Sequence, residues 1–274
     1  MKHALLWLAL AVFIAAFWML RQAPLAVVFA AAVPAIAYAA IVVALLRPEE
    51  PRAVLVSLFL WGAAVAAPVA ERANALFGAT AFGPVIWAPL VEETAKALGL
   101  VLLVALCPDR LRDARSGIAD GALVGFGFAL TENIPYHLVA AVQGGTAGLT
   151  RAVFVRGVLQ GLNHATFTGA FGAGLGLARR LPSRARSAAA PVFGFLFACA
   201  QHGVWNGVVS FTITDLLCGT TTAAGACQPT PTAAALYFQV PLLVALFIGP
   251  GLVGLAYLAR RSTVDIHGRG ASEP

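Results

Sequence analysis

Apolar residues run along this chain in blocks of about twenty, and the short stretches between the blocks hold most of the charge. Each block can cross roughly 30 Å of hydrocarbon as an α-helix. The blocks fall near 4–20, 25–46, 53–70, 83–107, 117–141, 152–178, 188–211 and 234–259. The pattern predicts an all-α, polytopic transmembrane helical bundle of about eight spans. The first block begins Met1-Lys2-His3 like a secretory signal. Its apolar core is long and no clear small-x-small cleavage site follows, so it reads as a retained span.

Composition agrees: of 274 residues, 60% are hydrophobic and 11% charged, and mean hydropathy is +0.84. Soluble domains carry about 25% charged residues. Lys and Arg sort by side. Lys2, Arg47, Arg52, Arg110, Arg112, Arg115, Arg179, Arg180, Arg184, Arg186, Arg260, Arg261 and Arg269 share one face, against Arg21, Arg72 and Arg151 on the other. The bias places both termini in the cytoplasm (N-in/C-in) and reads as a multi-pass protein of the cell inner (plasma) membrane. The net charge of +6 is thus a topology signal and a contact with the lipid bilayer. With no basic domain outside the membrane, nucleic acid is excluded as a partner.

The chain reads as a single integral membrane domain: scaffold spans one to three (1–82), a core of spans four to seven (83–211), an extracytoplasmic loop (212–233), and a last span with a polar, disordered tail (234–274). Cys218 and Cys227 fall in that outer loop, where a disulfide is permitted.

Chemistry concentrates in the core. Glu92, Glu93 and Lys96 lie inside the fourth block, where each charge costs roughly 2.5–3.5 kcal/mol at the bilayer centre. Lys96 is i+4 and i+3 from the two carboxylates. The fifth block carries Glu132 and Asn133 after a glycine-rich run from Gly125, followed by Pro135-Tyr136. In the sixth, Arg156, Gln160, Asn163 and His164 are spaced to share a helix face, and in the seventh His202 and Asn206 are i and i+4. At 1.5 Å per residue, Glu93, Glu132, His164 and His202 all fall roughly 13–18 Å below the outer surface. Four polar groups from consecutive spans at one level predict a single site. Arg156 reads as a counter-ion to a glutamate, His137 as interfacial, and Asp120 as a solvated helix-start residue.

Such a cluster has the parts for peptide hydrolysis. A carboxylate activates water, with Glu93 marginally preferred over Glu92, while Lys96 tunes its charge. Glu132 is a second acid/base or ligand, and His164, His202 and Asn206 position water and stabilise the oxyanion. Alternatively Glu132, His164 and His202 bind a metal such as Zn²⁺, drawn from separate helices because HExxH is absent. The Glu/Lys and His/Asn pairings favour a metal-free route, so no cofactor is preferred. A proton- or ion-coupled transporter using the same buried charges is the first alternative. A non-catalytic membrane adaptor is the second.

Glu92-Glu93-Thr94-Ala95-Lys96, the Gly125 to Asn133 run, His164 followed by Gly169, Gly172 and Gly176, and His202-Gly203-Val204-Trp205-Asn206 together resemble the PrsW family of intramembrane proteases. That family is related to the CAAX-protease and bacteriocin-processing superfamily. The resemblance implies cleavage of membrane-anchored protein substrates, with site-1 cleavage of an anti-sigma factor or similar regulator as the family's example. Its relatives are described both as metalloproteases and as metal-free, glutamate-dependent enzymes.

Overall fold

The computed structural model describes residues 23–77, 82–218 and 231–268, with side chains as far as Ser262. The expected first span and the Cys218–Cys227 pairing lie outside what is described. Regular structure among the described residues is helical throughout. Helix α1 covers Leu25–Leu46. Helices α2 (Arg52–Trp61) and α3 (Ala67–Phe77) are joined through a π-helical turn, Gly62–Ala66. A second π turn, Gly83–Trp87, leads into α4 (Ala88–Leu106). Helix α5 is Ala114–Ala152, followed by a π segment Val153–Leu159 and α6, Asn163–Ala178. Helix α7 (Arg184–Val204) continues through a π turn, Trp205–Val209, into α8 (Ser210–Cys218). The last π turn, Ala235–Gln239, opens α9, Val240–Gly268.

Among the described residues, five stretches are long and apolar enough to cross a membrane: Leu25–Leu46, Arg52–Leu76, Ala114–Ala178, Arg184–Leu217 and Ala235–Ser262. The helix carrying Glu92, Glu93 and Lys96 is not among them because it holds three charged residues, although it is otherwise apolar. The Ala114–Ala178 stretch contains two of the expected crossings. They are separated by a reversal at Gly145, whose φ of 57° lies in the left-handed region open to glycine.

Four expectations need correction. The sixth span is not one helix, since Gln160–Leu162 interrupts it and separates Arg156 from Asn163 and His164. The loop predicted from residue 212 begins as helix, because α8 runs to Cys218, and the tail is helical to Gly268. Asp120 and His137 are fully enclosed, not solvated or interfacial. Both belong to α5, which other helices surround.

That enclosure explains the bundle. Every residue of α5 from Gly117 to Leu130 is buried. On one side Gly117, Gly121 and Gly125, one turn apart, face backbone of α6 at Gly172, Thr168 and His164; a Cβ on any of the three would strike the facing carbonyl. On another side Gly127 meets the carbonyl of Phe59, and Gly62 meets that of Val124. Small residues let helix backbones approach in this way, and here they fix the axial register of α5 against α6 and α2. The N-terminus of α5 is fixed by a capping box in which Asp113 accepts from Ser116 N–H at 2.9 Å. Lipid-facing apolar side chains such as Phe29, Val33, Phe193, Phe197 and Val253 lie on the outer helices α1, α7 and α9.

The α5–α6 approach yields a test. Gly117→Ala or Gly172→Ala should cost about 1–3 kcal/mol by overpacking, seen as a lower thermal midpoint in detergent. Gly249→Ala, with nothing within 4 Å of its added carbon, should leave the midpoint unchanged.

Candidate active site

Three π turns each expose backbone that a neighbouring segment satisfies. Thr131 Oγ1 donates to Ala63 O at 2.7 Å, Asn206 Nδ2 to Pro84 O at 3.0 Å, and Tyr38 Oη to Val158 O at 2.8 Å. An unsatisfied carbonyl in hydrocarbon costs several kcal/mol or so, so these side chains make widened turns tolerable at membrane depth. π turns often mark functional sites because they re-aim side chains. A cavity of about 1000 Å³ is bordered by the Gly83–Trp87, Val153–Leu159 and Trp205–Val209 turns, and Glu92, Glu132, Arg156, His164, His202 and Trp205 are on its wall.

Lys96 is the centre of charge. Its side chain is 0% exposed, and Nζ donates to Glu93 Oε1 at 2.8 Å. It lies 3.6 Å from Glu92 Oε2 and 3.0 Å from His164 Nδ1, and 3.7 Å above the centroid of the Phe128 ring. A buried ammonium is tolerated only with such compensation. Glu93 accepts from Lys96, from Thr168 Oγ1 at 3.0 Å and from His202 Nδ1 at 3.0 Å. Glu92 Oε1 accepts from Asn74 Nδ2 at 3.2 Å. Its Oε2 is buried without a hydrogen-bond partner, 3.6 Å from His202 Nε2.

A second carboxylate group stands behind His164. Glu132 Oε2 is 2.9 Å from His164 Nε2 and 3.2 Å from Arg156 Nη2. Arg156 Nε also donates to Asn133 Oδ1 at 3.0 Å, and the guanidinium stacks 3.6 Å over the Tyr136 ring. The two imidazoles are therefore held alike. Glu93 takes the Nδ1 proton of His202, and Glu132 takes the Nε2 proton of His164. Each leaves its other nitrogen directed toward Glu92 or Lys96. Phe167 stacks on His202 at 4.9 Å and sets the ring plane.

Of the sequence-derived set, Glu92, Glu93, Lys96, Glu132, His164 and His202 come together as one network. Asn206 does not join it. Its amide is spent on Pro84 O, although it lines the same cavity. Arg156 is the counter-ion to Glu132, as expected. Gln160 and Asn163 do not bond His164, whose partners are Lys96 and Glu132. Sequence reasoning passed over Thr168 and Asn74. Thr168 is one helical turn from His164, a signal available in the spacing, whereas Asn74 lies past the predicted end of its span.

Glu92, His164 and His202 each offer one donor atom, all within 4.8 Å of one another. Two imidazoles and a carboxylate are the donor set of hydrolytic zinc sites that keep an open position. Glu92 Oε2, which has no hydrogen bond, and His202 Nε2 are open for that role, and His164 would join them through Nδ1 in exchange for its contact with Lys96. The ligand set expected from sequence had Glu132 in the place geometry gives to Glu92. Glu132 is instead engaged by His164 and Arg156.

A family model described as PrsW family intramembrane metalloprotease matches residues 50–246. No curated protein and no solved structure matches the chain. The family's description makes a metal better supported than the metal-free route drawn from the Glu/Lys and His/Asn pairings. The matched region takes in the whole network and well over half the chain, and this multi-pass membrane protein belongs to the PrsW family of intramembrane metalloproteases.

Proposed function

We propose that the protein cleaves membrane-anchored proteins close to where their anchors leave the bilayer, at the face opposite its arginine-rich helix ends. The carrying observation is the cavity. It runs from Glu92, His164 and His202 out to Gln143, Thr214 and Leu217, near the Gly145 turn and the far end of α8. By the Lys/Arg bias this is the extracytoplasmic side. That rests on an arrangement of about eight spans with both termini inside, in the plasma membrane. A regulator of the anti-sigma type, anchored by one helix with an outer domain, has the right form.

In this reading Glu92, His164 and His202 would hold a zinc-like ion, which when bound polarises a carbonyl and makes water nucleophilic at neutral pH. The chain's own residues do the rest. Glu93 and Glu132 fix the tautomers of His202 and His164. Lys96 keeps the carboxylates from repelling one another. Glu132, on the cavity wall and bridged to His164, receives the proton from the attacking water and passes it to the leaving amine. Arg156, held by Glu132, Asn133 and Tyr136, has guanidinium N–H groups left to meet a substrate carbonyl. The transporter and adaptor readings have no feature that accounts equally for two oriented imidazoles beside a carboxylate oxygen left without a hydrogen bond.

Purified protein should lose about 10²–10⁴-fold in turnover of a membrane-anchored substrate on Glu92→Gln or Glu132→Gln. Glu93→Gln, which acts through His202, should lose only about 10–100-fold. Undiminished cleavage by all three would remove the proposed centre, and substrate flux without cleavage would favour the transporter.

Elemental analysis is the companion measurement. One divalent ion per chain should be present in wild type and lost in His202→Ala, and a chelator should abolish cleavage reversibly. Full activity in metal-free protein would return the mechanism to a metal-free carboxylate base, Glu93 or Glu92.

A further inference from the structure

The opposite end of the bundle carries a second hollow, of about 780 Å³, lined by Pro108, Asp109, Leu111, Arg112, Arg179 and Arg180. It forms where the turn from α4 to α5 meets the turn from α6 to α7. Each guanidinium is tethered to a backbone carbonyl of the first turn. Arg112 Nε donates to Asp109 O at 2.8 Å, Arg179 Nη2 to Pro108 O at 3.0 Å, and Arg180 Nε to Arg112 O at 3.2 Å. A guanidinium has five N–H donors, so the tethers orient the three groups and leave donors for a ligand. Such pre-ordering lowers the entropy cost of binding.

The charge balance is positive. Arg112 also meets Glu49 at 3.1 Å, and Arg180 Nη2 is 3.9 Å from Asp113, while Asp109 is in the lining itself. Arg179 has no carboxylate within ion-pair distance among the described residues. The two turns and their flanks hold Arg110, Arg112, Arg115, Arg179, Arg180, Arg184 and Arg186 against Asp109 and Asp113, and the adjoining α1–α2 connection adds Glu49 and Glu50. The surplus suits an anion able to take two or more guanidinium forks, as phosphate oxygens do.

An apolar track starts at the same place. Leu98, Leu102 and Leu106, one turn apart on α4, are 51%, 40% and 49% exposed, and Leu106 lies two residues before Pro108. A free phosphate has no use for such a track, whereas an acyl chain does.

We propose that this hollow binds the phosphate group of an anionic phospholipid, with an acyl chain lying along Leu106, Leu102 and Leu98. The lipid then braces the turn joining α4, which carries Glu92, Glu93 and Lys96, to α5, which carries Glu132. The proposal rests on the cradle and is independent of the protease reading.

Native mass spectrometry of the full chain, released from nanodiscs of mixed phosphatidylglycerol and phosphatidylcholine, tests it. Wild type should retain phosphatidylglycerol preferentially. Arg112→Gln with Arg179→Gln should weaken that retention roughly 10- to 30-fold, and the corresponding Lys pair should restore part of it. Arg184→Gln with Arg186→Gln, two exposed arginines outside the hollow, removes equal charge and should change retention little. Circular dichroism of each variant should match wild type. Equal losses for the two Gln pairs would reduce the effect to diffuse charge and overturn the site. So would wild type without lipid preference, or inorganic phosphate displacing the lipid at equal concentration.

Discussion

Lys96 carries an ammonium with no solvent contact into the middle of a membrane bundle, and the surrounding structure is what makes that possible. Four helices contribute. Helix α4 supplies Glu93 and Glu92, α5 the face of Phe128, α6 the Nδ1 of His164, and Thr168 and His202 hold Glu93 in turn. Removing one partner from such a group strands a charge in low dielectric, at a cost of about 3–5 kcal/mol. The network is therefore a condition on the fold as well as the proposed reactive centre.

Two backbone devices make the convergence possible. The glycine ladder of α5 brings α6 into backbone contact, and one rung of it, Gly125, lies against His164 itself. The π turns and the break at Gln160–Leu162 then re-aim Arg156 and open the cavity, with Thr131, Asn206 and Tyr38 satisfying the exposed carbonyls. Asn206 thus supports the turn at Pro84, where its spacing from His202 had suggested an oxyanion donor. Depth alone grouped side chains that the fold does bring together. It could not say which nitrogen or oxygen of each remained free.

What the sequence made legible follows from energetics. Apolar blocks and stranded charges are costly enough to stand out in composition, so the helical bundle and the residues Glu92, Glu93, Lys96, Glu132, His164 and His202 could be read directly. Interruptions within spans could not be. Gln160–Leu162 reads as continuous helix until its neighbours are known, and the Gly145 reversal replaces a loop that hydropathy alone implies. The choice between Glu92 and Glu93 was equally hidden, because it depends on Thr168 and Asn74, which reach α4 from other helices. Glu93, marginally preferred from sequence, is filled by donors, and Glu92 is the one facing the cavity.

The central claim is that Glu92 of α4 and His202 of α7 point at one place. It is tested most directly by replacing both with cysteine in a background lacking Cys107, Cys199, Cys218 and Cys227, then measuring maleimide labelling with and without Cd²⁺. The two native side chains end 3.6 Å apart, so thiols at both positions face one pocket shared with His164, where a soft ion can bind them together. The account expects Cd²⁺ to protect both thiols together in the double variant, at a lower concentration than protects either single variant, where one thiol is left with the other two side chains of the site. Independent labelling of the two thiols at every Cd²⁺ concentration would contradict it.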